Sequence, residues 1–163
     1  MFRKGLLSFS VILAAALNVF PAFLDIDHYP SGSSDEYRIL DLINDTRETQ
    51  RLNPLRWDDE LAAVARNYSV QMAREGFFDH RDRDGDAVEV RAERAGVNHW
   101  KRIGENLFVC QGIRNIAGFA VEEWMNSPTH RQNILDRKFT ATGIGMARAR
   151  NGRIYITEVF IQN

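Results

Sequence analysis

The chain has 163 residues, 44% of them apolar and 26% charged, with a formal net charge of −1, the composition of one ordinary globular domain with a sizeable core. Near-neutral charge without a basic run or a basic–aromatic alternation excludes a nucleic-acid-binding surface. Cys110 is the sole cysteine, so no internal disulfide and no cysteine-based zinc site can form, and the core alone must hold the fold.

Residues 1–24 begin with a short cationic stretch, Met1 to Gly5, and continue through an almost wholly apolar run, Leu6 to Leu24. This is the pattern of a secretory signal or an uncleaved N-terminal anchor. Large side chains at Phe20-Pro21-Ala22 make a poor cleavage site, and the run barely spans a bilayer, so removal and retention both stay open. A buried first helix of the domain is the competing reading. Export is expected, to a secreted, periplasmic or cell-surface location, with no membrane contact beyond this segment. Residues 25–34, with Pro30, Ser31, Gly32, Ser33 and Ser34, read as a linker. The domain is then 35–163, with Ser34 as the first helix cap.

Tyr37, Leu40, Ile43 and Arg47 recur at helical spacing, with Asp41, Asp45 and Glu48 opposite, which predicts a helix over 35–49. Asn53 to Trp57 is expected to be a connecting loop. Asp58 caps a second helix carrying the stripe Leu61, Val64, Ala65, Tyr68, Met72 and Ala73, and Gly76 ends it.

The stretch Phe77 to Asp86 holds four aspartates at mostly alternate positions. If Gly85 took the sixth place of a calcium loop, His80 would stand at the first and Arg91 at the twelfth, where acids are required. The register fails at both ends, and the interleaved arginines predict an internally paired loop. A third, shorter helix is expected over 87–95, closed by Gly96. Arg102 to Cys110 reads as a strand, with Cys110 in the core and unreactive. Glu105 opens the buried part of that strand and must be paired or hydrogen-bonded there. It either holds the fold or faces a cleft as a ligand or base.

A helix over 115–126 leads to the stretch that carries the most chemistry, Trp124 to Leu135. Pro128 ends the incoming helix near Asn126, and Ser127 or Thr129 can cap a new short helix. His130 falls in its first turn, where the positive end of the helix dipole favours a neutral imidazole. Such a histidine can bind a metal, accept a proton or simply hydrogen-bond its neighbours. Two strands follow, over 140–146 and 154–161, joined through the Asn-Gly turn Arg150-Asn151-Gly152. Gly143 and Gly145 predict a close backbone approach within the first. His28 and His99 have no motif around them and read as surface residues.

Phe78-Asp79-His80, Gly104-Glu105-Asn106, Trp124 to Leu135, and Thr142-Gly143-Ile144-Gly145 with Tyr155 to Phe160 occur in an order that resembles the CAP superfamily. These are the cysteine-rich secretory, antigen 5 and pathogenesis-related proteins, and the match is to their short bacterial members. The resemblance implies an α+β fold, a three-layer α-β-α sandwich around a small, mainly antiparallel sheet. It also implies a cleft lined by two histidines and two acids, in which several members hold a divalent metal such as zinc. Carried over, the metal ligands are His80, Glu105 and His130, with Asn106, Ser127 and Glu123 lining the cleft. The second acid of animal members falls at Ser127, so the full set of four is not present. Glu158 is a further acid on the last strand.

Three function classes follow. The domain is an exported binding module whose cleft takes a divalent metal or a lipid, glycan or peptide ligand. Alternatively it is a hydrolase, metal-dependent or using Ser127 beside His130, although neither an H-E-x-x-H helix nor a G-x-S-x-G elbow is present. The third class is a purely structural cell-envelope domain. Enzyme activity is the less favoured expectation.

Overall fold

The computed structural model describes residues 33–163; the N-terminal segment 1–24, the linker through Gly32 and His28 lie outside the described residues. Among those described, no helix is long and apolar enough to cross a membrane.

Five helices are set by local signals. α1 spans Ser34–Thr49 and is capped by Ser33 rather than Ser34. The shift follows from Glu36, which stands three residues after Ser33: the Ser33 hydroxyl accepts from Glu36 N–H at 3.3 Å while the Glu36 carboxylate accepts from Ser33 N–H at 3.1 Å, a reciprocal capping box. α2, Asp59–Glu75, is capped by Asp58 and closed by left-handed Gly76 at φ 67°. α3, Val88–Arg94, starts without a side-chain cap and is shorter than expected. α4, Ile116–Asn126, is capped by Asn115, and α5, Pro128–Leu135, follows after one extended residue, Ser127. The Ser127 hydroxyl does not cap α5; it lies 3.3 Å from Thr129 Oγ1. Pro128 at the first position presets the helical φ, so α5 starts without that bond.

The sheet runs β1-β3-β4-β2, with β1 Arg56–Trp57, β2 Arg102–Cys110, β3 Ala141–Arg148 and β4 Ile154–Gln162. β4 pairs antiparallel with both β2 and β3. β1 falls in the stretch expected to be loop, and pairs parallel with β3 through Arg56 N–H to Thr140 O at 3.1 Å and Asp58 N–H to Thr142 O at 2.9 Å. β3 continues two residues past the predicted end at Met146 before the turn at Gly152.

Side chains alternate across β4, so the sheet is covered on both faces. Ile154, Ile156 and Phe160 join the core under α1, α4 and α5. Tyr155, Val159 and Ile161 turn to the α2–α3 layer. α2 lies directly on β3 because two glycines leave room for it: a Cβ at Gly143 would sit 2.1 Å from Ala62 N, and one at Gly145 2.0 Å from Arg66 N.

Two buried charged residues tie α1 to the rest. The Glu36 carboxylate receives the Arg66 guanidinium through two bonds of 3.0 Å and the Met146 N–H at 3.1 Å. Arg47 donates to the carbonyls of Asn53 (2.8 Å), Ile134 (2.7 Å), Asp136 (3.1 Å) and Phe139 (3.3 Å). Half-buried Cys110 has its thiol pKa pushed up by that burial, which disfavours the reactive thiolate.

Candidate ligand cleft

β2 is an edge strand, and two consecutive residues on it organise the cleft. Side chains of neighbouring strand residues point to opposite faces. Glu105 therefore reaches toward the α2–α3 side, and Asn106 toward α5.

Glu105 is buried with both oxygens engaged. Oε1 lies 2.8 Å from His80 Nδ1, and Oε2 pairs with the Arg91 guanidinium. Arg91 comes from α3 and stacks over the Tyr68 ring of α2 at 3.4 Å. It also donates to the carbonyls of His80 at 3.0 Å and Asp86 at 2.8 Å. Tyr68 donates its hydroxyl to Asp79 O at 2.5 Å. The loop carrying His80 is thus held at three points by two helices. Within the loop Asp82 accepts from the N–H groups of Asp84 and Asp86, and Arg81 donates to Gly85 O; the ion pairs of its acids and arginines run instead to the flanking helices, Arg83 to Glu75 at 3.9 Å and Asp86 to Arg94.

On the other side, Asn106 donates to His130 O at 3.3 Å, and Asn133, one turn further along α5, donates to Asn106 Oδ1 at 3.0 Å and Glu105 O at 3.1 Å. These bonds hold the first turn of α5 against β2 and bring the rings of His80 and His130 to a centroid separation of 6.5 Å, inclined at 41°. With Nδ1 of His80 engaged by Glu105, its Nε2 has no protein partner among the described residues, and neither does either ring nitrogen of His130. Beside His130 opens a cavity of about 240 Å³ lined by Phe78, Leu107, Phe108, Val109, Glu123, Trp124 and Ser127.

The two imidazoles differ electrically. The hydrogen bond to Glu105 raises the His80 pKa above the usual 6.5, against the smaller opposing effect of burial. Burial lowers that of His130, and the neighbouring His80 lowers it further. The two shifts act on stability in different pH windows. His80 stabilises the fold fully below about 6.5, and that contribution is lost as pH rises through its raised folded value. His130 disfavours the fold as pH falls from about 6.5 toward its depressed value, because the unfolded chain there binds the extra proton. In a proton NMR titration, His80 should titrate above and His130 below 6.5, and Glu105→Gln should bring the His80 midpoint down. Coincident midpoints unaffected by that substitution would contradict the pairing.

The sequence pattern described as "Cysteine-rich secretory protein family" matches residues 40–163. The chain belongs to this CAP family. It is 34% identical over 131 residues to the "Uncharacterized protein YkwD" of Bacillus subtilis, covering 80% of this chain and 48% of that protein. It is 32% identical to the "Uncharacterized membrane protein YlbC" of the same organism, covering 80% and 35%. The chain therefore spans half or less of the length of these curated relatives. Among solved structures, an extracellular protein of Bacillus anthracis containing a SCP domain superposes with a TM-score of 0.68 at 29% identity, over 79% of this chain and 40% of that one. An outer surface protein of Borrelia burgdorferi shares the fold with a TM-score of 0.71 at 21% identity, over 79% and 92%.

His80 lies against Glu105 and faces the ring of His130, whose backbone carbonyl is held by Asn106. Glu123 and Ser127 line the adjoining cavity. Ser127 hydrogen-bonds Thr129 and no bond from it to His130 is present. Among the described residues no three His, Cys, Asp or Glu side chains are grouped so as to hold a metal ion; Glu105 is already occupied by Arg91 and His80. Sequence alone assigns none of Arg91, Tyr68 and Asn133 to the cleft: Tyr68 reads as part of the α2 stripe and Arg91 only as a residue that fails a calcium-loop register. Asn133 carried a faint signal, standing three residues after His130 and hence on the same helix face. Arg91 carried none, because its role depends on where α3 docks. Glu158 is fully buried rather than facing the cleft, with Thr142 Oγ1 at 3.2 Å from Oε1 and no partner for Oε2. Burial holds its carboxyl pKa well above the usual range despite hydrogen bonds with Thr142 and Asn106.

Proposed function

We propose that this CAP domain is an exported binding module whose working surface is the cleft between His80 and His130. The supporting observation is the pair of imidazoles, 6.5 Å apart, with uncommitted nitrogens beside an open cavity. The N-terminal residue pattern and the extracellular or surface character stated for the solved structures it resembles support export.

The donor set fits a divalent ion held by two imidazoles rather than by three protein ligands. Nε2 of His80 and a ring nitrogen of His130 would hold it. Glu105 would act from behind as the carboxylate that fixes the His80 tautomer, the arrangement common around metal-bound histidines. Bound there, zinc would supply a Lewis acid with open positions for an anionic or polar ligand group. The buried Arg91–Glu105 pair orients His80, and Asn106 with Asn133 sets the distance to His130.

Calorimetric titration of residues 25–163 with zinc is expected to show saturable one-to-one binding, abolished by His80→Ala/His130→Ala with little change in melting temperature. Glu105→Gln should weaken it roughly 10–100-fold. Absence of binding in the wild type, or equal binding in the double variant, would remove the metal from this reading.

A further inference from the structure

The cavity beside His130 has an unusual lining for a solvent-facing surface. Phe78 stands on the loop rim 48% exposed, an apolar area that folding leaves in water. Phe108 and Trp124 form another wall, their rings edge-on at 6.4 Å. Glu123 lines the same cavity, exposed, and among the described residues its carboxylate makes no ion pair or hydrogen bond. No lysine or arginine lines the cavity. Aromatic rings with an uncompensated carboxylate are the features that attract a bulky, weakly hydrated cation: ring quadrupoles draw it, and desolvating it costs less than desolvating a primary ammonium.

The other end of the cleft has the opposite character. The imidazoles of His80 and His130 face each other there; of the carboxylates near them, Glu105 is paired with Arg91, while the charge of Asp79 also acts on His80. His130 lines the same cavity as Glu123, and His80 does not. At about 240 Å³ the cavity is smaller than the roughly 300–1,000 Å³ of pockets that take drug-sized ligands. It suits a head group, not a whole lipid or glycan chain.

We infer that the cavity seats a quaternary ammonium group while the two imidazoles take the phosphate of the same ligand, so that the cleft binds choline phosphate, free or as a phospholipid head. This rests on the reading of the cleft as a ligand surface and narrows it to one zwitterionic chemistry. The methyl groups pack against Phe78 and Phe108, Glu123 balances their charge, and in the metal-free cleft the phosphate oxygens accept from imidazole N–H groups, so that phosphate and a divalent ion compete for the same two side chains.

The test is calorimetric titration of the metal-free full chain, with chelator present, with choline phosphate, ethanolamine phosphate and inorganic phosphate, in the wild type, Phe78→Ala, Glu123→Gln and His80→Ala/His130→Ala. Choline phosphate is expected to bind at least tenfold more tightly than the other two. Phe78→Ala and Glu123→Gln should each lose at least fivefold while melting as the wild type does. No binding of choline phosphate, equal affinity for the three ligands, or indifference to Phe78 and Glu123 would overturn the inference. If inorganic phosphate binds equally well and only the histidine double variant loses it, the imidazole cleft stands and the choline site falls. If no phosphate compound responds to that double variant, both fall. Sedimentation with phosphatidylcholine vesicles, compared between wild type and Glu123→Gln so that the N-terminal segment cancels, separates the sources. A difference assigns the phospholipid head, and its absence, with the free ligand still binding, assigns the soluble compound.

Discussion

Arg47→Met is expected to lower the unfolding free energy by about 4 kcal/mol, with four carbonyls losing their donor and each buried unsatisfied group costing roughly 1–3 kcal/mol before relaxation. The side chain is almost fully buried, and its guanidinium is shared among Asn53, Ile134, Asp136 and Phe139. Three of those carbonyls belong to the end of α5 and the turn into β3, so this one side chain supplies donors that helix C-termini otherwise find in caps or water. For a domain of this size the melting temperature should fall by roughly 12 °C. Arg47→Lys should recover little, because an ammonium cannot serve four acceptors spread around a planar fork. Urea and thermal unfolding decide the matter: a loss below about 1 kcal/mol would mean that water reaches those carbonyls in the variant.

Glu105→Ala should cost about 3 kcal/mol, mostly because it strands Arg91, whose side chain is only 9% exposed and would keep a buried charge without a partner. Arg91→Met in that background should restore part of the loss, and the two single costs should exceed the double by at least about 1 kcal/mol. Additive costs would show that the two groups do not act as a pair. In the cleft, the same substitution releases His80 Nδ1, so the imidazole loses its preferred tautomer as well as its orientation. Stability and zinc affinity should therefore fall together in Glu105→Ala, whereas Glu105→Gln should preserve more of the fold than of the affinity.

Much of the helical layer was legible because its determinants are local. Asp58, Gly76, Asn115 and Pro128 act within one turn of where they stand, and each marks a helix boundary in the structure. Gly143 and Gly145 announced a close approach, although not that the approaching backbone is that of α2. The two-residue β1 escaped notice because no periodicity exists over two positions; only β3, some eighty residues later, makes it a strand. The three-layer arrangement came from the family motifs rather than from any pattern of spacing. Within the cleft, the histidines and Glu105 were visible as motif residues. Arg91 was not, since a helix arginine declares no partner until α3 is docked. Glu158 shows the same limit: alternation set it on a face with Ile156 and Phe160, but which layer covers that face is decided by α1 and α4.

The order of strands also governs how the molecule comes into being. β4 is the central partner of both long strands, yet its residues, 154–162, are made after every other element. Until they emerge, β2 has no neighbour to pair with and β3 only the two residues of β1. The acid that caps α1, Glu36, likewise waits for an amide 110 residues away. Contacts this distant in sequence make for slow, late and cooperative assembly. A growing chain therefore remains without its sheet until residues 154–162 have been made.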